Sequence, residues 1–124
     1  MLSMSPYKTI GIVGTRRRDS TNDYIKMLDV FSIHYKEGDR IVSGGCPHGA
    51  DRFAEKIAKN MQIPITIHYA AWDRIGKSAG FLRNGDIAKD ADMLIAMVSD
   101  DRTGGTENTI TRFKELKKGR IILV

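Results

Sequence analysis

The chain reads as an α/β protein, a Rossmann-like doubly wound parallel five-stranded sheet with helices on both faces. Three observations predict it. Short β-branched runs alternate with segments of helical periodicity in the order β-α-β-α-β-α-β-α-β, and parallel strands need helix-containing crossovers. The run from Met93 to Val98 is almost wholly apolar, as a strand covered on both faces should be. Three strand ends also run into glycine: Gly14, Gly44-Gly45 and Gly104-Gly105. In such sheets ligands bind outside the carboxyl ends of the strands, where the strand order reverses. With the expected order 3-2-1-4-5, that point lies between the first and fourth strands.

Tyr7 to Val13 is rich in β-formers and stops at Gly14, which makes it the first strand. Ser20 opens a helix, with Asp23 three residues on as a capping-box variant, and Tyr24, Met27, Leu28, Phe31 and Tyr35 follow at helical spacing. Gly38 closes that segment, and Arg40 to Ser43 is the second strand. From Gly49, the positions Ala50, Phe53, Ala54, Ile57, Ala58 and Met61 form an apolar stripe that Pro64 ends. Ile65 to Tyr69 is the third strand, followed by Ala70-Ala71-Trp72-Asp73 and a loop with Gly76. Ser78 starts a helix running to about Asp90, although Gly80 and Gly85 lie inside it. Each costs about 1 kcal/mol relative to alanine, so close packing or a ligand is expected beside them. Gly105 to Lys118 is the last helix and Arg120 to Val124 the last strand.

A chain of 124 residues forms one domain, spanning residues 1–124. A single cysteine permits no intramolecular disulfide and fits a reducing, cytoplasmic setting. The start Met1-Leu2-Ser3-Met4-Ser5-Pro6 lacks a basic region and an apolar core, so no secretory signal or membrane partner is expected. The formal net charge of +5 favours an anionic partner. Much of the excess lies in Arg16-Arg17-Arg18 and in Lys114, Lys117, Lys118 and Arg120. The second group sits where a helix C-terminus favours cations in any case. Arg17 and Arg18 are expected to be solvated or to form part of a broad steering field.

The stretch Ile41-Val42-Ser43-Gly44-Gly45-Cys46-Pro47-His48-Gly49-Ala50-Asp51 is a strand, a phosphate-sized loop and a helix start. Glycine there lets the backbone adopt positive φ and lets a ligand come close, while the helix N–H groups favour an anion. Gly14-Thr15-Arg16 and Gly104-Gly105-Thr106 repeat the design, so one shared pocket is expected. Each loop also has a plain reading as a crowded turn, but Arg16 adds a guanidinium suited to phosphate oxygens. Asp51 either caps its own helix or accepts from a ribose diol. Trp72 either closes an edge of the core or covers a base. Arg83 and Asn84 either contact phosphate or ribose, or pack helix to helix across a dimer. Asn108 is a second candidate for the sugar, and capping alone accounts for Thr106 and Glu107. Cys46 lacks a histidine–carboxylate partner set and reads as a small loop residue. His34, His48 and His68 lack ligand spacing, so no metal is expected, although His48 lies within the loop.

Taken together, Gly14-Thr15-Arg16, Ser43-Gly44-Gly45 with Gly49-Ala50-Asp51, Trp72, Gly80 with Arg83-Asn84, and Gly105-Thr106 with Asn108-Thr109 resemble the SLOG superfamily. It joins the DNA-processing protein A (Smf, DprA) family to the LOG, or Lonely Guy, family, and the likeness is nearest to the small YspA-like branch. The resemblance implies a Rossmann-like domain that binds a nucleotide or nucleotide-derived ligand, without a cofactor. A LOG-like activity would hydrolyse the N-glycosidic bond of a nucleoside monophosphate, with Arg83 positioning substrate and Glu107 stabilising the sugar cation. Here Thr109 stands where the LOG glutamate belongs, and Asn84 replaces a lysine. A DprA-like chain would instead bind nucleic acid through its basic surface, though aromatic residues that could stack on bases are only 7%. Related domains pair through the helix carrying the Arg-Asn dipeptide, so a homodimer or higher homo-oligomer also follows from the resemblance.

Overall fold

The computed structural model describes residues 6–72, 76 and 78–124. Its elements are β1 (Thr9–Gly14), α1 (Thr21–His34), β2 (Arg40–Gly44), α2 (Ala50–Met61), β3 (Ile65–His68), α3 (Ser78–Asp90), β4 (Met93–Met97), α4 (Gly105–Leu116) and β5 (Ile121–Leu123). The five strands form one all-parallel sheet in the order β3-β2-β1-β4-β5. The expected architecture and strand order are therefore observed. Asp73 and residues 1–5 lie outside the described residues.

The sequence signals explain the element ends. Ser20 is the N-cap of α1, accepting from the Asp23 amide, while the Asp23 carboxylate accepts from the Ser20 amide to complete the capping box. The chain leaves α1 at Tyr35, which is extended, and Gly38 (φ +98°) serves the turn that follows. This turn is secured by Asp39, a buried carboxylate that accepts from the Lys8 amide, the Lys8 ammonium and the Lys36 amide. Gln62 ends α2 in the left-handed conformation, two residues before Pro64.

Two cores form, one per sheet face. Met27 and Phe31 of α1 and Ala50, Phe53, Ala54, Ile57 and Ala58 of α2 pack on Ile10, Ile12, Ile41, Met93, Ile95 and Met97. On the other face, Ile87 and Ala88 of α3 with Ile110 and Phe113 of α4 pack on Val13, Val42, Leu94 and Ala96. A buried side chain of this size contributes about 1.5–3 kcal/mol. Met61, at the end of the apolar stripe of α2, is instead 40% exposed. All of β4 is buried. The glycines inside α3 meet side chains: the Trp72 ring lies over Gly80, and the Arg112 guanidinium lies over Gly85. No helix among the described residues is long and apolar enough to cross a membrane.

Gly14 carries the tightest constraint on the sheet. A Cβ there would lie 2.7 Å from Ala50 Cβ and 2.8 Å from the Met97 carbonyl, both fixed by the fold. Gly14→Ala is expected to cost about 1–3 kcal/mol, seen as a lower melting temperature. An unchanged melting temperature would show that the β1–α2–β4 junction can relax.

Candidate functional site

The β1/β4 reversal places the loop after β1 opposite the loop after β4. Thr15 donates its amide to the Met97 carbonyl, extending the strand pairing into the loops. Beyond it, Arg17 makes a two-pronged ion pair with Asp101 and also donates to the Thr103 hydroxyl. Asp101 further accepts from the Ser99 and Thr103 hydroxyls and the Thr103 amide. Arg18 donates to the Val98 and Val124 carbonyls and to Asp23. Arg17 is solvent-exposed as expected, whereas Arg18 is largely withdrawn from solvent, and both tie the β1 loop to the β4 and β5 ends. Arg16 is exposed, and its guanidinium has no hydrogen bond or ion pair among the described residues.

The glycine loops divide into packed and open ones. Gly49 (φ +72°) brings the start of α2 against the β1 loop, where a Cβ would stand 2.5 Å from the Thr15 carbonyl. The Gly49 amide donates to Asp19, whose carboxylate also accepts from Arg52 and lies 3.6 Å from His48 Nδ1. The positive end of α2 therefore already faces a carboxylate. Gly45 is covered by the Tyr69 ring. The start of α4 differs. Gly104 (φ +104°) has open space beside it, and the nearest atom to a Cβ at Gly105 is Asn84 Nδ2 at 3.8 Å. Gly104 is an N-cap with no side-chain hydrogen bond, and no acceptor among the described residues meets the Gly105 and Thr106 amides. The glycines do not all border one pocket: Gly14 and Gly49 serve packing, whereas Gly104 and Gly105 face open space.

Asp51 and Ser43 are both buried. Ser43 Oγ lies 2.6 Å from the Ile12 carbonyl and 3.1 Å from Asp51 Oδ1, and Cys46 donates its amide to Asp51 Oδ2. Asp51 thus pins the 44–46 loop and does not cap its own helix, and the Ser43 hydroxyl is used within the fold. Above them, a Cβ at Gly44 would meet Arg83 Nη1 at 2.5 Å and Asp51 Oδ2 at 2.7 Å. Arg83 Nε donates to Asn84 Oδ1, and Asn84 Nδ2 donates to the Gly105 carbonyl and to Asn108 Oδ1. Arg83 therefore links the β2 loop to the open start of α4. Trp72 is 57% exposed, its ring resting on Gly80 in the first turn of α3, so it does not close the core.

Arg83 and Glu107, the pair that hydrolysis would need, have separate partners. Glu107 is held in a two-pronged ion pair by Arg102, a non-glycine residue at φ +54°, while Thr109 is buried and donates to the Gly105 carbonyl. Two surface grooves lie elsewhere. One of about 520 Å³ runs between α2 and β3 past Lys56, Lys59, Ile63 and Ile65, and one of about 350 Å³ lies between α3 and α4 by Leu82, Arg112 and Leu116. Neither reaches the glycine loops, and neither gathers polar groups on one point, so chemistry rather than concavity locates the site. Among the described residues no cluster of three or more histidine, cysteine or acidic side chains suits a metal ion.

The carboxylates give the chain an acid-sensitive side. Asp101 is held well below its ordinary range by Arg17, then by the Thr103 and Ser99 hydroxyls, and Asp19 is lowered by the Gly49 amide and Arg52. Their stabilisation is complete above the ordinary carboxylate value of about 4 and is lost as pH falls through the lowered folded values. Asp51 has the opposite sign: burial pushes it up, against the Cys46 amide and the Arg83 charge. Its native form takes up a proton before the unfolded chain does, so its contribution grows as pH falls from neutrality through the raised value. Melting temperature is expected to drop steeply below about pH 4, and Asp51→Asn should keep that acid limb while losing the gain on its neutral side. A variant with the same profile as the parent would show that Asp51 ionises normally. Comparison with protein-family models, with curated proteins and with solved structures finds no match for this chain.

Proposed function

We propose that this chain binds a phosphate-bearing nucleotide or nucleotide-derived ligand, with phosphate at the start of α4. The observation that carries this reading is the open Gly104-Gly105-Thr106 turn. Its Gly105 and Thr106 amides have no acceptor among the described residues, and it sits at the strand-order reversal where such sheets take ligands. Two orphan amides and the positive helix end make an anion site. Arg16, without a partner among the described residues, supplies an exposed cation on the neighbouring loop, and phosphate is an anion that a guanidinium grips in two-pronged fashion. Asn84 and Asn108 flank the turn, and the exposed Trp72 ring on the first turn of α3 offers a face for a base.

Hydrolysis has less behind it. Glu107 is neutralised by Arg102 and is unsupported by any contact to Arg83, so a sugar cation has no ready carboxylate partner in this arrangement. Nucleic-acid binding through the basic surface predicts a steep loss of affinity with salt, which separates it from a small-ligand site.

The test is thermal stability against nucleoside mono-, di- and triphosphates, dinucleotides, cyclic nucleotides and a single-stranded oligonucleotide. A ligand at about a hundred times its dissociation constant adds about 2.7 kcal/mol and moves the melting point by several degrees. Arg16→Ala is expected to keep the parent's melting temperature without ligand and to weaken binding about tenfold, as loss of a charge-assisted contact does. Unchanged affinity in that variant would remove Arg16 from the site, and a shift with oligonucleotide alone would favour the basic surface.

A further inference from the structure

We infer that the groove between α2 and the free edge of β3 docks an extended peptide of a partner protein, acidic in charge and apolar at alternate positions. This is a second surface, independent of the phosphate reading. Three observations carry it.

The first is the open backbone of β3, an outer strand of the sheet. Ile65 stands opposite Ile41 and Ile67 opposite Ser43, and the Ile41 amide donates to the Pro64 carbonyl. In a parallel ladder this register gives the bonds with β2 to Pro64, Thr66 and His68, and turns the N–H and C=O groups of Ile65 and Ile67 outward. None of those four groups has a turn or loop partner among the described residues. Outer strands are commonly blunted by lysine or proline, whereas β3 reads Ile65-Thr66-Ile67-His68. Donors and acceptors that repeat at about 6.6 Å, two residues of rise, match another polypeptide strand.

The second is the floor beside that edge. Ile65 and Ile67 are part-buried, and with the buried Ala58 and Ile63 they line the groove of about 520 Å³ under α2. Side chains alternate between the faces of a strand. A peptide laid along β3 therefore directs every second residue into this apolar groove. Backbone bonds supply the affinity of such strand addition, and the alternate side chains supply its specificity.

The third is charge. The α2 wall of the groove carries Arg52, Lys56 and Lys59 against one carboxylate, Glu55. Arg52 is engaged by Asp19, and the Lys56 ammonium lies over the Tyr24 ring, where it keeps its charge. Lys59 is exposed and has no ion pair among the described residues. An acidic peptide complements this wall. A second copy of the chain does not: pairing β3 with β3 about a two-fold axis puts both α2 walls on one side of the joined sheet and sets like cations together.

The experiment selects random peptides displayed on phage against the whole chain, then measures the synthesised peptides in solution by dissociation constant and by amide hydrogen exchange of the protein. The selected sequences are expected to alternate apolar residues with others and to include aspartate or glutamate. Bound peptide should slow exchange at Ile65 and Ile67. Methylating alternate backbone amides of the peptide should weaken binding by about tenfold or more, through lost ladder bonds. Lys59→Glu, at an exposed position, should keep the parent's melting temperature and nucleotide affinity and weaken the peptide by about fivefold. Selection of no peptide, protection of amides away from β3, or equal binding of the methylated form and by Lys59→Glu would overturn the inference. Protection of Ile65 and Ile67 that grows with protein concentration in the absence of peptide would overturn it too, by giving the edge to a second copy.

Discussion

The parallel pairing of β1 with β4 is the constraint on which the rest of the structure depends. Register runs from Ile10 opposite Met93 to Gly14 opposite Met97, so the two strands end level and their loops leave together. The chain winds outward from β1 through β2 to β3, then crosses back to β4 and on to β5. Right-handed crossovers put α1 and α2 on one face and α3 and α4 on the other. The loops after β1 and β4 consequently lead to helices on opposite faces, and this reversal is a product of topology before any side chain is considered. Gly14 is what lets the junction close. With β1, β4 and the first residue of α2 converging there, no Cβ can be accommodated.

Glycine is used in two ways around this reversal. At Gly14 and Gly49 the missing side chain lets one backbone segment approach another. At Gly44 it makes room for the Arg83 guanidinium and the Asp51 carboxylate, and at Gly104 and Gly105 it leaves the helix start bare. The polar side chains follow the same division. Arg17 pairs with Asp101, Arg18 with Asp23 and the Val98 and Val124 carbonyls, and Asp19 with Arg52 and the Gly49 amide, which fixes the loops. Among the described residues, Arg16 and the first amides of α4 meet no partner. A rigid frame with a few unspent charges is what an anion site requires, because organising the donors beforehand spares the entropy of ordering them on binding.

Local signals made the fold legible. The Ser20…Asp23 box, the break at Pro64, the apolar run of β4 and the glycines at strand ends act over a few residues, so they can be read without knowing what the chain folds against. The candidate residues were legible as positions but only partly as roles. Asp51 was visible as an acid in the first turn of a helix, yet its burial depends on Ser43 and on the remote Arg83. Arg17 and Arg18 looked like surplus charge because Asp101 and the Val98 and Val124 carbonyls lie some eighty to a hundred residues away along the chain. The coverage of Gly45 by Tyr69 and of Gly80 by Trp72 is likewise a tertiary fact. The alternation of packed and open glycines is invisible in sequence, since both kinds are the same letter.

The central claim is that the bare start of α4 is where phosphate sits. Amide chemical-shift mapping of the labelled protein during titration with a nucleoside monophosphate tests it most directly, because it reports on the N–H groups themselves. The account predicts that the largest and saturable changes fall on Gly104, Gly105 and Thr106, with Arg16 and Asn84 following at the same dissociation constant. Saturable changes centred instead on the start of α2, or spread along the basic surface and abolished by moderate salt, would contradict it.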